Sequence, residues 1–170
     1  MKKDKKNKIK KNNSSLSCAK CSAPACIGSG PLARCEKHFL EAFDSRVRQA
    51  VREYHMISPG ERVAVALSGG KDSTVMLHQL VELRKRLPMD LLAILVDEGI
   101  ADYRAPTIAV ARKECKKLKV PLHIVSFKSE FGYSLDAMLK KEKAGRSAPV
   151  GACSFCGVFR RTLLQKAALR

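Results

Sequence analysis

Tryptophan is absent from this sequence, and aromatic residues make up only 5% of its 170 positions. There is no long apolar run either, because the longest unbroken one, Leu91 to Val96, has six residues, whereas about 20 are needed to span a bilayer. The lysines at the N-terminus lead into no apolar stretch, so we expect no secretory signal peptide. These absences argue against a membrane protein and favour a cytoplasmic location.

Acidic residues are few compared with basic ones. There are 16 Asp and Glu residues against 33 Lys and Arg residues, which leaves a formal net charge of +17. Residues 1–11 hold seven lysines and one aspartate, so the rest of the chain still carries +11. A surface this basic can bind nucleic acid without reading its sequence, because neutralised phosphates release their counterions. We predict a basic disordered arm over residues 1–15 and a nucleic-acid partner.

The seven cysteines are odd in number and cluster toward the two ends of the chain, which is not the pattern of a disulfide framework. Near the N-terminus, two ligand pairs each have two residues between their members, a spacing that lets a tight turn present both side chains to one ion. We predict a zinc finger over residues 16–38. Cys26 could replace one of its ligands, and the sequence leaves that choice open. The predicted zinc ligands are Cys18, Cys21, Cys35 and His38.

The rest of the chain alternates between helical and strand-like apolar patterns. Residues 39–57 indicate an amphipathic linker helix, and residues 58–170 indicate an α/β domain with a parallel sheet. The first strand is apolar on both faces, which predicts a central position in the sheet. We predict strands at 62–67, 91–96 and 122–127, helices at 73–87, 105–118, 134–141 and 158–169, and a mobile loop at 143–152.

Apolar stripes predict which helical residues are buried. Cys115 shares its stripe with Ala111, so we interpret it as a core residue rather than a functional thiol. The stripe expected to be buried on the helix at 73–87 consists of Met76, Leu80, Leu83 and Leu87.

A glycine-rich turn, Ser68 to Ser73, follows the first predicted strand and opens the next helix with the sequence Ser-Gly-Gly-Lys-Asp-Ser. Its two glycines let backbone amides approach an anion, and the helix adds unpaired N–H groups and its positive dipole end. The turn is not a kinase-type phosphate loop, because an aspartate follows the lysine, and its glycine spacing is not that of a dinucleotide fingerprint. We therefore predict a phosphate-binding site at this turn.

These six residues resemble the signature of the PP-loop, or adenine nucleotide alpha-hydrolase-like, superfamily. The resemblance implies a Rossmann-like domain that cleaves ATP between its α and β phosphates, releasing pyrophosphate and leaving AMP on the substrate. It also implies that Asp72 helps to place Mg²⁺. By this resemblance the ATP-binding residues are Leu67, Ser68, Gly69, Gly70, Lys71, Asp72, Ser73 and Val96.

A second cysteine pair, Cys153-x-x-Cys156, lies just before the last predicted helix. There the helix dipole together with Arg160 and Arg161 would lower the thiol pKa and favour the reactive thiolate. From these residues alone, a redox dithiol, half of a second zinc site, a sulfur-carrying pair and two inert cysteines all remain open.

The order of these features resembles the TtuA-type tRNA 2-thiouridine synthetases and their eukaryotic cytosolic relatives. Besides the zinc knuckle and the glycine-rich turn, the shared features are Asp97-Glu98-Gly99-Ile100 and the Cys-Ser-Phe-Cys-Gly-Val-Phe-Arg-Arg segment. The resemblance implies that Cys153 and Cys156 are catalytic together with the loop aspartate, and that they carry sulfur or hold a 4Fe–4S cluster. A third family cysteine would lie beyond Arg170, so we expect a PP-loop domain that is incomplete at its C-terminus.

The resemblance implies an ATP-dependent tRNA sulfurtransferase that adenylates the C2 oxygen of a uridine and then replaces it with sulfur. AMP transfer is physically sensible, because it turns a poor leaving group into a good one. The implied partners are tRNA and a sulfur donor, for which a ubiquitin-like thiocarboxylated carrier is one candidate; a homodimer is one candidate assembly. The basic residues that would hold tRNA phosphates are Lys140, Lys141, Lys143, Arg146, Arg160 and Arg161.

Several alternatives stay open at this point. A tRNA cytidine 2-thiolation enzyme would use the same loop and cysteines, although the zinc knuckle favours uridine. Lysidine-type and amide-forming relatives use the ATP loop but do not need Cys153 and Cys156. The chain could also be a zinc-dependent RNA-binding module with a vestigial nucleotide loop, and the metal at the second cysteine pair could be zinc.

Overall fold

A computed structural model of the chain describes residues 16–101, 103–143 and 152–170, and gives the backbone alone at 141–143, 152 and 153. The predicted basic arm and most of the predicted mobile loop lie outside the described residues. The chain divides into two compact units, the first ending at Ala50 and the second beginning at Val51. Within the described residues, no helix combines the length and apolar character needed to cross a bilayer.

Short backbone contacts organise the first unit. Isolated antiparallel bridges pair Ser17 with Pro24 and Ile27 with Arg34. These bridges fold the turn-rich segment back on itself, so that its two ends approach each other. The helical segments that follow are a 3-10 helix, Gly30–Leu32, and helix α1, Glu36–Glu53.

Helix α1 starts three residues before the predicted linker helix and ends four residues earlier than predicted. The carbonyl of Cys35 accepts the first helical hydrogen bond, from the N–H of Phe39, at 2.9 Å. His38 therefore lies in the first turn, on a rigid helix directly after Cys35. The sequence pattern missed this start because its first apolar helical residue is Phe39, whereas the helix begins with polar residues.

The second unit contains a three-stranded parallel sheet in the order β1-β2-β3, which confirms the predicted α/β class. Val65 lies opposite Ala93, and Ile94 lies opposite His123. Helices α2 and α3 form the crossovers between consecutive strands. The elements are β1 Arg62–Ala66, α2 Lys71–Arg84, β2 Asp90–Asp97, α3 Arg104–Leu118, β3 Leu122–Ser126, α4 Phe127–Phe131, α5 Leu135–Lys143 and α6 Ala152–Ala168.

The central strand is β2, so the prediction of a central first strand was wrong. Residues 91, 93, 94, 95 and 96 of β2 are all buried, whereas Val65 is the single buried residue of β1. In the described sheet, β1 pairs with β2 along one side alone, and this leaves Ala64 and Ala66 exposed. The apolar residues on both faces of β1 therefore indicated a strand, but they did not indicate whether that strand lies at the centre or at the edge of the sheet.

The apolar stripe predicted for α2 was also wrong in part. Leu77 is fully buried and Leu83 is 6% exposed, whereas Met76 is 43% exposed. The predicted stripe included Met76 and omitted Leu77. Both choices have helical spacing with Leu80, and packing against β1 and β2 selects between them. On α3, by contrast, Cys115 and Ala111 are buried as predicted.

Helix α4 was not predicted, because Phe127 continues the apolar pattern of the preceding strand. Ser126 ends β3 and caps α4 instead, since its hydroxyl accepts a hydrogen bond from the N–H of Ser129 at 3.0 Å. The turn into α4 buries Phe127 completely, with its ring edge-on to Phe131 and Phe159. This aromatic cluster holds α6 against the sheet.

Helix α6 begins at Ala152, six residues before the predicted start at 158. The second cysteine pair therefore lies within the first two turns of the helix and not in front of it. Cys156 is buried in a cluster with Val96, Phe127 and Leu163. The predicted start of the helix was late because the cysteine motif was interpreted as lying before it, although the segment from Ala152 onward has no helix breaker other than Gly157.

Candidate functional site

The candidate site lies where β1 and β2 end, at the carboxyl edge of the parallel sheet, which is where open α/β folds bind their ligands. Ser68 follows β1, and Glu98 follows β2. A cavity of about 230 Å³ opens between these strand ends and the neighbouring helices. Its lining residues are Ala66, Leu67, Ser68, Ile94, Val96, Glu98, Arg104, Arg160 and Leu164.

The glycine-rich turn is held together by its own serines. The Ser68 and Ser73 hydroxyls lie 3.0 Å apart, and the N–H of Ser68 donates to Ser73 Oγ at 3.2 Å. Ser73 in turn donates to the carbonyl of Gly70 at 3.1 Å, and Gly70 caps α2 in an extended conformation. These hydrogen bonds order the turn between β1 and α2, and the N-terminus of α2 lies at the base of the turn. Such an arrangement binds anions through backbone N–H groups.

Gly69 is required by the geometry of this turn. Its φ is +80°, in the left-handed region, and a Cβ there would lie 2.5 Å from the carbonyl oxygen of Thr107. That carbonyl belongs to the first turns of α3. The absence of a side chain at Gly69 therefore lets the turn pack directly on the backbone of α3.

We expect Gly69→Ala to destabilise the second unit by about 1 kcal/mol through backbone strain, with a further loss of about 1–3 kcal/mol from the clash. The matched control is Gly132→Ala, because Gly132 has a similar φ of +82° but no atom within 4 Å of its would-be Cβ. The control isolates strain alone, for which we expect about 1 kcal/mol. Urea unfolding of both variants measures the difference, and equal free energies of unfolding would contradict the packing argument.

Two charged residues follow the glycines in the first turn of α2. The Lys71 and Asp72 side chains are both exposed, and Val96 is buried in β2 with contact to the cavity. The exposed lysine and aspartate can reach a phosphate and its counterion, and the buried valine provides an apolar wall. The assignment of these residues to ATP and Mg²⁺ stays a prediction.

Sequence reasoning gave no role to the buried carboxylate of Glu98. Glu98 is 0% exposed, and Arg104, from the start of α3, is 7% exposed. Arg104 Nε donates to Glu98 Oε2, and Arg104 Nη2 forms an ion pair with the same oxygen. Arg160 Nη2, from α6, lies 2.9 Å from the other oxygen, Oε1, as an ion pair without hydrogen-bonding geometry. One carboxylate thus bridges two guanidinium groups.

The two arginines reach opposite ends of the site. Arg104 Nη1 donates to the carbonyl of Ser68 at 3.3 Å, in the phosphate-binding turn. Arg160 Nη2 donates to the Cys156 Sγ at 3.2 Å. Burial opposes the charge on Arg160, but the Cys156 hydrogen bond and the Glu98 carboxylate outweigh it and raise the pKa of the guanidinium. A continuous chain of polar contacts therefore runs from the turn to the thiol.

The predicted site residues outside this chain of contacts are distributed as follows. Cys153 lies in the first turn of α6, three positions before Cys156. Lys140 and Arg161 are exposed. The Lys141 and Lys143 side chains, and the whole of Arg146, lie outside the described residues.

The first unit brings the four predicted zinc ligands together. Their ligand atoms all lie within 4.8 Å of one another. Cys21 Sγ and Cys35 Sγ are 3.7 Å apart, and His38 Nδ1 is 3.4 Å from the sulfurs of both Cys18 and Cys35. A tetrahedron with bonds of about 2.3 Å to sulfur and about 2.0 Å to nitrogen has edges of about 3.5–3.8 Å. The donor set therefore fits zinc in both identity and size.

The surroundings of the zinc ligands also suit a metal. Burial raises the pKa of the Cys18 thiol, but backbone hydrogen bonds at Cys35, Lys20 and Cys21 outweigh it and lower that pKa to about 6. Zinc binds the thiolate form of cysteine. A thiol with this pKa is mostly deprotonated at neutral pH, so zinc has few protons to displace from Cys18. The other ring nitrogen of His38 lies 3.9 Å from a Glu41 oxygen, which is within ion-pair distance but too far for a hydrogen bond.

The remaining thiols have different surroundings. Cys26 is exposed and lies outside the group of four, with its sulfur 3.5 Å from the carbonyl of Arg34. Burial raises the pKa of the Cys115 thiol, and the neighbouring Glu114 carboxylate adds to the effect. Cys115 is therefore an inert packing residue at neutral pH.

Comparison with known proteins places these features in a family. Residues 39–148 match a family described as a PP-loop domain. The cytoplasmic tRNA 2-thiolation protein 1 of Mus musculus is 40% identical over 137 residues, which are 80% of this chain and 32% of that protein. Its namesake in Aspergillus niger is 34% identical over 158 residues, which are 90% of this chain and 45% of that protein.

A solved structure agrees with the sequence comparisons. The U34-tRNA thiolase NcsA from Methanococcus maripaludis, determined with its 4Fe-4S cluster, matches with a TM-score of 0.76 and 33% identity over 92% of this chain and 50% of that chain. The chain spans between about a third and a half of the length of these relatives. The match to residues 39–148 includes the Ser68–Ser73 turn and both its flanking elements, and the chain therefore belongs to the PP-loop domain family.

Proposed function

We propose that the protein is an ATP-dependent tRNA sulfurtransferase that converts a tRNA uridine to 2-thiouridine. The observation that carries this proposal is the polar chain from Ser68 through Arg104, Glu98 and Arg160 to Cys156. It joins a phosphate-binding turn and a thiol across one cavity. An enzyme that only adenylates, or a module that only binds RNA, has no need for that connection. The relatives named for tRNA 2-thiolation support the same reaction.

The first half of the reaction belongs to the glycine-rich turn. ATP would bind with its phosphates over the N-terminus of α2, where backbone N–H groups and Lys71 offset their charge. The uridine O2 attacks the α-phosphorus, the bond to the β-phosphate oxygen breaks, and pyrophosphate leaves. Asp72, exposed beside this turn, would hold the Mg²⁺ that accompanies the phosphates. Preorganised donors lower the barrier because they need no reorientation as charge moves to pyrophosphate.

The second half of the reaction belongs to α6. A sulfide-level sulfur supplied by the donor and held at α6 attacks C2 of the adenylated uridine, the bond from C2 to the AMP-bearing oxygen breaks, and AMP leaves with that oxygen. Arg160 donates to Cys156 Sγ at 3.2 Å, and a guanidinium at that distance stabilises negative charge on sulfur. The buried surroundings of Cys156 limit the access of water to this sulfur.

The two cysteine groups suit different metals. The zinc donor set of the first unit is closed, with four protein ligands and no open position, so Zn²⁺ there would be structural. Cys153 and Cys156 lie three positions apart on α6 and would supply two thiolate ligands of a 4Fe–4S cluster. Such a cluster, when bound, supplies an iron site that can hold an exchangeable sulfur.

The substrate and partners follow from charge and from the reaction. A tRNA would be held by its phosphates, with the exposed Lys140 and Arg161 as contributors together with Lys141, Lys143, Arg146 and the outward part of Arg160. A sulfur donor is required by stoichiometry, and a ubiquitin-like thiocarboxylated carrier would deliver sulfur at the correct oxidation level. We place the protein in the cytoplasm, like the relatives named for that compartment, and propose the basic arm, zinc finger, linker helix and ATP domain as its functional segments.

The test is pyrophosphate release from ATP by the full-length protein, with and without tRNA, alongside mass spectrometry of the nucleosides. We expect tRNA-dependent release, formation of 2-thiouridine, and a fall of about 100-fold in release for Asp72→Ala, because a charge placed for the transition state is lost. Asp90→Ala is the matched control, since Asp90 is exposed at the opposite edge of the sheet.

Each alternative has its own outcome in this test. Formation of 2-thiocytidine would replace the uridine assignment with the cytidine one. Retained tRNA binding without pyrophosphate release would identify an RNA-binding module. Pyrophosphate release with unthiolated product would leave an adenylating ligase of the same family.

A further inference from the structure

The deepest charge in the second unit is the Glu98 carboxylate, which the reaction above does not use directly. Glu98 is completely buried, although moving an ion out of water is costly unless close partners compensate it. Its partners come from two different helices, Arg104 on α3 and Arg160 on α6. A complete buried ion triad can often be replaced by well-packed apolar residues without loss of stability, so its presence is weak evidence for a purely stabilising role. Its place between two functional elements suggests a more specific task.

The backbone of Glu98 is held in place from both sides. Its carbonyl accepts a hydrogen bond from the N–H of Leu135 at 2.8 Å. The next residue, Gly99, has a φ of +71°, and a Cβ there would lie 2.6 Å from the Cβ of Ser134. The N–H of Gly99 also donates to Asp97 Oδ1 at 2.9 Å. The carboxylate therefore extends from a fixed point at the end of the central strand.

The two oxygens of Glu98 have different partners. Oε2 accepts from Arg104, whose guanidinium also donates to the carbonyl of Ser68, so this oxygen is tied to the phosphate-binding turn. Oε1 has the charge of Arg160 at 2.9 Å but no hydrogen bond. Arg160 directs its hydrogen bond to Cys156 instead. The contact on the α6 side is thus the adaptable one, since it depends on charge rather than on a fixed hydrogen-bond direction.

Resting on the function proposed above, we propose that Glu98 is a positioning residue that sets the spacing between the nucleotide and the reactive sulfur. It holds Arg104 against the phosphate-binding turn and Arg160 against Cys156. When a nucleotide binds at the turn, the shift in Arg104 reaches the Cys156 thiol through this one carboxylate. Glu98 touches neither reactant.

The test uses Glu98→Gln, which keeps the size of the side chain and removes its charge. In the full-length enzyme we expect kcat for 2-thiouridine formation to fall by about 10–100-fold, because small misplacements of reacting groups have effects of this size. The KM for ATP should change less than about threefold, since Glu98 does not contact the nucleotide and its loss removes no interaction that binds ATP in the ground state. Glu98→Asp keeps the charge and should recover part of kcat.

A second readout is independent of turnover. In protein without the iron–sulfur cluster, a neutral maleimide alkylates Cys156 at a rate that peptide mass spectrometry can follow. We expect a non-hydrolysable ATP analogue to change that rate at least about twofold in the wild type, and to have no effect in Glu98→Gln. If Glu98 only stabilised the fold, Glu98→Gln would change the alkylation rate measured without nucleotide. The ATP analogue would then still change that rate in the variant as it does in the wild type.

The matched control is Glu114→Gln. Glu114 also joins two helices, through an ion pair with His78 at 2.8 Å, but it lies outside the cavity. We expect this control to keep both kcat and the nucleotide effect. If Glu98→Gln does not fold, as judged by circular dichroism, Arg160→Lys replaces it. The Arg160 side chain is 47% exposed, and its Nη2 contacts both Glu98 and Cys156, a position that the differently shaped lysine ammonium does not reproduce. The same losses are expected.

The idea is overturned if Glu98→Gln or its substitute retains the wild-type kcat and nucleotide effect, or if Glu114→Gln loses as much. It is also overturned if the wild-type protein binds the analogue without any change in Cys156 alkylation. Failure of the proposed function appears differently, as a wild-type enzyme that forms no thiolated tRNA. In that case the alkylation experiment still decides whether Glu98 couples the turn to the thiol.

Discussion

Cys35→Ser is expected to weaken zinc binding by at least about 100-fold and to destabilise the first unit. Among the described residues of that unit, the buried apolar ones are Cys18 and Ala33, so apolar burial contributes little. Metal binding in comparable fingers contributes about 10–16 kcal/mol. One of four ligands then carries roughly 3 kcal/mol, and its loss weakens zinc affinity by at least about 100-fold.

Zinc analysis of the purified protein, with a chelator competition series, measures this effect, and limited proteolysis reports the folding of residues 16–50. Treatment of the wild type with the chelator should reproduce the variant. Cys26→Ser is the matched control, because Cys26 is an exposed cysteine of the same unit outside the ligand group. The ligand set would be wrong if Cys35→Ser resisted the chelator as well as the wild type does, or if Cys26→Ser lost its zinc as easily as Cys35→Ser is expected to.

The second large effect concerns Cys156→Ala in the second unit. We expect 2-thiouridine formation by the full-length enzyme to fall by at least about 1,000-fold, the scale seen when an essential catalytic group is removed, because the variant loses a thiolate that holds the transferable sulfur at α6. Pyrophosphate release should remain within about tenfold of the wild type, because the phosphate-binding turn does not contain this thiol. The two half-reactions are thereby separated in a single variant.

Cys115→Ala provides the comparison, since Cys115 is also buried and helical but has a raised pKa and packs in the core. It should lose stability without losing thiolation per folded molecule. Parallel assays of radiolabelled pyrophosphate and of thiolated nucleoside distinguish the cases. Full thiolation by Cys156→Ala would remove the sulfur role from this residue and falsify the assignment of α6 to sulfur delivery.

What the sequence predicted well depends on local spacing. The zinc ligands and the Ser68–Ser73 turn are short motifs whose geometry is set by turn chemistry, and alternating apolar patterns were enough for the α/β class. The structure brings Cys18, Cys21 and Cys35 together with His38, as the two-residue spacing within each pair required. Local steric rules of this kind act in the same way in almost any tertiary context.

The features that the sequence could not predict depend on tertiary contacts between residues that are distant in the chain. Glu98, Arg104 and Arg160 would each be assigned to the surface by residue type, and only the packing of α3 and α6 at the sheet edge makes them partners. From the sequence, Arg160 was interpreted as a phosphate contact and as a neighbour of the cysteine thiols, and its ion pair with Glu98 was missed. The early start of α6 was missed because the cysteine motif was interpreted as a segment in front of the helix, whereas the helix begins at Ala152.

The exposed side of β1 has a consequence for handling the chain in solution. In the described sheet, one edge of Arg62–Ala66 presents backbone donors and acceptors without a partner strand, a template for edge-to-edge association. Mutual repulsion between molecules of net charge +17 opposes that association. The range of this repulsion shrinks from about 10 Å at 0.1 M salt to about 3 Å at 1 M. Colloidal stability of the isolated chain therefore depends on low ionic strength.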